Sequence, residues 1–437
     1  MPQYDSVIRS QRVVTPGGVR PAAVGIRGGR ITAVGDYDAL PAGGGDTDLG
    51  RVALLPGCVD TDVAAQAPGQ QLREGYARTA AAALRGGVTT LVVTPAPARP
   101  AVTGVHALDG HLAAAADNGV HVAFLGGIGP HSSPADLADL RAAGVVGFHC
   151  SLSDGGAPDV GPVGDTRLRK AMAEFGAMQV PLFVHAEDAG ELSVPARGGN
   201  EALLMSRPPR AERRGLERII AAARVTGART HISPFTAAEC AAVLAAARAM
   251  GIPVSAQTCP HYLCLPAEQV PDSSPAFGCR PPLRSSANRN ALWSVLTADG
   301  DSPITTIGSG HRPGTGVEAI SWLLPALWTA AARRGCGLDD IARWTSAGPA
   351  ELVGLRRKGR IAPGHDADLV AFDPDAFQTV PENDSGPYAG RHLTGRVNAT
   401  WVAGRSAFTA SGGAGTKGTR KPGRPTANGD PLLPISG

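Results

Sequence analysis

The chain has 437 residues, with 41 Lys and Arg against 38 Asp and Glu and a net charge of +3. An apolar fraction of 43% with 18% charged residues excludes a disordered chain, and aromatics at 4% mean that Ala, Val, Leu and Ile must build the core. The charge balance gives no footprint for nucleic acid, and Gly, Arg or Pro interrupts every apolar run before it could span a membrane.

In chain order, the first elements read as β. Residues 6–14 are strand-like, and 23–34 alternate around Arg27-Gly28-Gly29-Arg30, whose two glycines suit a two-residue hairpin turn. From residue 58 the pattern changes. Short β-rich runs at 58–62, 89–93, 121–126, 145–150, 181–185, 229–233, 253–258 and 304–308 are separated by Ala/Leu/Arg stretches. The spacing predicts helices over 72–85, 134–143, 211–226 and 237–250, the last ended by Gly251. A second β-rich stretch follows at 367–372 and 395–401, with a turn at Gly404-Arg405.

This order predicts an α/β protein: a (β/α)8 TIM-like barrel over 57–356 and a small β-sandwich domain formed by both chain ends, 1–56 and 357–408. A doubly wound sheet ranks below it because no GxGxxG follows the first barrel strand. Residues 409–437, rich in Gly, Ser, Thr and Pro with four basic residues against Asp430, read as a disordered basic tail. Seven scattered cysteines with no CxxC pair read as reduced thiols, which points to the cytoplasm.

In such a barrel, chemistry sits where the strands end. Those ends carry Asp62, His149 and His185, among others. The three are either a two-His, one-carboxylate set able to hold one divalent ion, or hydrogen-bonded polar residues at a barrel mouth.

Longer motifs sharpen the picture. Leu55-Pro56-Gly57-Cys58-Val59-Asp60-Thr61, Gly86-Gly87-Val88-Thr89-Thr90, Val184-His185-Ala186-Glu187-Asp188 and Lys358-Gly359-Arg360-Ile361-Ala362-Pro363-Gly364 before Ala367-Asp368-Leu369-Val370 occur in order. With Gln257-Thr258-Cys259-Pro260-His261-Tyr262 and Pro281-Pro282-Leu283-Arg284, the chain resembles the cyclic amidohydrolases: dihydroorotases, hydantoinases and allantoinases, the last most of all. The resemblance implies two divalent metals bridged by hydroxide, because metal binding lowers the pKa of water from 15.7 to about 7. It also implies their ligands: an HxH after the first strand, a carboxylated Lys on the fourth, His on the fifth and sixth, and Asp after the eighth.

Here those positions read Asp62-Val63-Ala64, His149, His185, Pro234 and Gly310, so only His185 stands as the resemblance requires. Substrate-contact positions change too: Pro97 and Gln66-Ala67 replace amides and an acid, and Arg280 precedes Pro281-Pro282. The scaffold motifs are intact. Two expectations follow. The first is a non-catalytic homologue without cofactor, acting as a structural or regulatory partner in a homo-oligomer or a hetero-oligomer with an active homologue. The second is a remodelled enzyme with one zinc, manganese or iron on Asp62, His149 and His185, and His231 or His311 as general base. Gln66 and Arg280 are the candidate contacts for a small-molecule ligand; Arg280 either pairs with a substrate carboxylate or fills the site by bridging to Glu187 or Asp188.

Overall fold

The computed structural model describes residues 3–129, 132–154, 160–195, 199–272, 274–298 and 300–410. The tail expected at 409–437 therefore lies, from residue 411 on, outside the described residues. Five strands open the chain: β1 (Ser6–Thr15), β2 (Gly18–Arg27), β3 (Arg30–Gly35), β4 (Asp46–Asp48) and β5 (Ala53–Pro56). The barrel strands follow: β6 (Cys58–Val63), β7 (Val88–Val93), β8 (His121–Gly127), β9 (Gly147–Ser151), β10 (Leu182–His185), β11 (Thr230–Ile232), β12 (Val254–Thr258) and β13 (Ile304–Ile307). Three more close the chain, β14 (Leu369–Thr379), β15 (His392–Val402) and β16 (Arg405–Thr409).

β6 to β13 form one parallel sheet in sequence order, with helices between successive strands. It closes on itself through a bridge between Val63 and His311, reinforced by the Ala64 amide donating to the His311 carbonyl at 2.9 Å. The strands are buried almost throughout, as parallel strands covered by helices must be. The Gly86-Gly87 pair shows why that motif is fixed: a Cβ at Gly86 would fall 1.9 Å from the Ile320 carbonyl, and Gly87 takes φ +83°.

The chain ends assemble a separate sheet in the order β16-β15-β14-β5-β1-β2-β3, with β4 beside β1. Alternation divides its side chains between two cores. Leu54, Leu369 and Ala371 pack with Ile8, Val24 and Ile26, whereas Ala53, Leu55, Val370 and Phe372 join the main core that includes the barrel's outer layer. The β2–β3 hairpin turns at Gly28 and Gly29, both at positive φ as expected. Lys358 ties this sheet to the barrel: its buried ammonium lies 2.6 Å from Asp368 and 2.9 Å from Asp366, and His121 on β8 lies 3.3 Å from Asp368. Among the described residues, no helix is long and apolar enough to cross a membrane, and all seven cysteines are free thiols.

Candidate functional site

The ends of the barrel strands enclose a cavity of about 380 Å³. Asp62, His149, His185 and Arg280 all line it, so four of the residues picked from sequence share one space. His231, His311 and Gln66 do not.

Asp62 sits near the end of β6 and is 3% exposed. Its Oδ1 accepts a hydrogen bond from Arg312 Nη2, and Arg312 Nη1 also donates to the backbone carbonyls of Asp62 (3.1 Å) and His311 (3.0 Å). The Cys259 thiol lies 3.7 Å from the other carboxylate oxygen. Arg312 is thus clamped over Asp62 by three bonds, and the carboxylate in turn raises the arginine's proton affinity against burial, which opposes it.

His149, on β9, is buried with its Nδ1 unpartnered among the described residues. Burial, reinforced by the charges of Arg312 and His185, pulls it down to about 3, so it is neutral at physiological pH. His185 ends β10 and bonds through Nε2 to Glu187 at 2.8 Å. Glu187, fully buried, also receives Arg207, whose Nη2 lies at 2.8 Å and Nε at 3.2 Å. Burial alone would raise the Glu187 carboxyl, but the bond from His185 and the charges of His185, Arg207 and Arg284 outweigh it and lower it.

Three expectations need correction. His231 faces the barrel interior below the cavity, where Ser255 (2.7 Å) and Thr306 (2.9 Å) occupy both ring nitrogens; burial takes it down to about 3. The mouth positions on that segment are Ser233 and Pro234, beyond the strand end. His311 is buried outside the cavity lining, because its backbone is spent closing the barrel against Val63. Gln66 uses both amide ends in the loop: Nε2 donates to the Gln70 carbonyl (2.6 Å) and Oε1 accepts from the Arg99 amide (2.9 Å). It is a loop brace.

Arg280 lines the mouth, exposed, and forms no ion pair among the described residues. Glu187 and Asp188, its expected neighbours, are taken by Arg207 and by Arg218 at 2.6 Å. Sequence reasoning missed Arg312; the available signal was a lone cation two residues past the Gly310 position that the resemblance assigns to an acid. It also missed His261, which lines the cavity wall. A Cβ at Gly310 (φ +65°) would fall 2.7 Å from His261 Cε1 and 3.0 Å from Cys259 Sγ, so the wall has closed on the vacated position.

The donor set does not fit a pair of metal ions. Ala64, Pro234 and Gly310 offer no donor atoms in their side chains. Asp62 is bonded to Arg312 and His185 to Glu187, and among the described residues no group of three or more His, Cys, Asp or Glu side chains is arranged to hold an ion. What the cavity offers instead is the Arg312 guanidinium bonded to Asp62, the Arg280 guanidinium without an ion pair among the described residues, and the neutral imidazole of His149.

Comparison with known proteins places these features in context. Residues 53–407 match the model of the amidohydrolase family. The chain is 40% identical over 428 residues to an allantoinase of Streptomyces avermitilis, covering 92% of this chain and 95% of that protein. An allantoinase of Saccharomyces cerevisiae is 33% identical, over 82% of this chain and 84% of its own. The structure of an L-hydantoinase (dihydropyrimidinase) from Arthrobacter aurescens superimposes with a TM-score of 0.84 at 23% identity, over 92% of this chain and 96% of that one.

Proposed function

The chain belongs to the amidohydrolase family, and from that premise we propose that it is an allantoinase-like protein that binds a small ureide in its barrel mouth without two-metal hydrolysis. The observation carrying this reading is the Asp62–Arg312 pair. At the position where the resemblance places the first metal ligand, the carboxylate is neutralised by a guanidinium. A guanidinium fixes charge but activates no water, because only a bound metal brings the pKa of water to about 7. The relatives named allantoinase support a ureide as the ligand class. Arg280 at the rim and Arg312 on the floor suit a ligand with urea carbonyls or a carboxylate, which guanidinium groups engage by charge-assisted bonds. The protein acts in the cytoplasm as a structural or regulatory partner, in an assembly with itself or with an active homologue.

The second reading, a single divalent ion on Asp62, His149 and His185, is favoured only by the unpartnered Nδ1 of His149. The test separates the two. Full-length protein purified without chelator is assayed for metal content, allantoin hydrolysis and allantoin binding by calorimetry. The expected result is allantoin binding that Arg280→Ala weakens, with neither hydrolysis nor stoichiometric metal. Near-stoichiometric zinc, manganese or iron that is lost in both Asp62→Ala and His149→Ala overturns the proposal in favour of the second reading. Co-purification with an active homologue tests the partner role.

A further inference from the structure

A second cavity, of about 510 Å³, lies on the outside of the barrel between the helices Pro260–Cys264, Ser286–Leu296 and Leu323–Ala332 and the segment entering β15. Arg289, Arg333, Arg334 and Arg391 all line it, and no Asp or Glu does. None of the four is ion-paired among the described residues, whereas Arg207, Arg218, Arg284 and Arg312 elsewhere are each held by a carboxylate. Their existing bonds are to neutral acceptors only. Arg289 and Arg334 share the Asn290 side-chain oxygen at 3.3 Å each, Arg289 and Arg334 reach the Cys264 and Ala330 carbonyls at 3.5 Å and 3.0 Å, and Arg391 reaches Gln269 at 3.3 Å.

The Tyr388 ring lines the cavity, but its hydroxyl and the Arg289 Nε are sealed from solvent, so neither offers a donor to a ligand there. Like charges gathered round one cavity repel, so the four guanidinium groups call for an acceptor with negative charge. The mutual repulsion is already felt: burial first, and then the charge of Arg289, push Arg334 below its ordinary range. The Glu382 carboxylate lies beside the backbone of Gly390, which lines the cavity.

We propose that this four-arginine cavity is a binding site for a small polyanion, separate from the barrel mouth. Planar guanidinium groups grip phosphate and carboxylate oxygens bidentately, and the cavity has room for a ligand with two or more anionic groups. The site does not depend on the ureide reading of the barrel mouth.

The probes are pyrophosphate and citrate, titrated into the full-length protein by calorimetry at matched ionic strength, with chloride as the control. The expected result is saturable binding of at least one probe, and the tighter of the two identifies the anionic group as phosphate or carboxylate. Arg333→Ala, an exposed residue whose loss should leave the fold unchanged, and Arg391→Ala each weaken binding by about tenfold, as loss of a charge-assisted contact predicts. Arg280→Ala at the barrel mouth leaves it unchanged. The proposal is overturned if neither probe saturates, if thermal stabilisation by the probes equals that by chloride, or if Arg333→Ala and Arg391→Ala bind as the parent chain does.

Discussion

The Asp62–Arg312 pair can be weighed by a double-mutant cycle with Asp62→Asn, Arg312→Met and the combined variant. Asp62 has a side chain 4% exposed, so removing Arg312 leaves a largely buried carboxylate without its cation. Unpairing a buried ion of this kind costs about 3–5 kcal/mol. The reverse change is milder. Arg312 keeps 26% of its side chain in solvent and retains two backbone carbonyl acceptors, so Asp62→Asn should cost about 1–2 kcal/mol. The double variant carries neither charge and should lie close to the Asp62→Asn value, giving a coupling of about 3–5 kcal/mol. The assay is urea unfolding followed by circular dichroism at constant ionic strength. Additivity within about 0.5 kcal/mol would refute the reasoning, because Asp62 would then be uncommitted and free to serve a cation.

Four other outcomes follow from the fold. Lys358→Met leaves the buried Asp368 with His121 but without its ammonium partner, while Asp366 keeps Arg357 at 3.4 Å, and should cost about 3 kcal/mol in the same unfolding assay. Asp368 itself has a pH signature. Burial alone would raise it, but bonding and charge from His121 and Lys358 hold its folded pKa well below the ordinary 3.8, so its stabilisation is complete above that value and is lost as pH falls toward the folded one. The acid limb of the stability profile below about pH 4 should therefore flatten in Asp368→Asn. Cys58 and Cys150 are buried thiols pushed up to about 12 by burial, so iodoacetamide at pH 8 should modify neither in native protein and both after denaturation, as read by mass spectrometry. Gly86→Ala should lower stability by about 1–3 kcal/mol, since its methyl must displace the Ile320 carbonyl.

The barrel was legible because parallel strands buried on both faces read as short apolar runs, and each expected run falls on an observed strand within a residue or two. Helices were less so. Val105–Ala115 and Asp165–Met178 are real helices that sequence reading passed over, the first interrupted by Gly110 and two histidines, the second entered through Gly164 without a side-chain cap. At the site, strand position alone did not decide the outcome. Asp62 and His185 lie beside or at the last residues of β6 and β10 and His149 lies mid-strand on β9, and all three line the cavity. His231 pairs with Phe183 in the same row as His149, but Ser255 and Thr306 take both its ring nitrogens and it stays out of the lining. His311 lies outside the lining for another reason: its segment closes the barrel in a long-range pairing with Val63, and no local pattern encodes that.

Most of the bonding that holds the frame lies inside the barrel: Gln257 bonds Thr61 and Thr306 and reaches Ser233 at the cavity lining, and His231 bonds Ser255 and Thr306. The barrel joins the end sheet through the Lys358 cluster, and Glu212 holds Arg284 at 2.6 Å while accepting from Thr236 and from the backbone at Ala237. Among these bonds, only Gln257–Ser233 reaches the cavity lining. Substitutions there are constrained chiefly by charge, because an isolated buried Asp62 would be costly, and a single cation within reach removes that cost. Arg312 provides it from the segment that already closes the barrel, so one side chain both neutralises the floor and ties the first strand to the last.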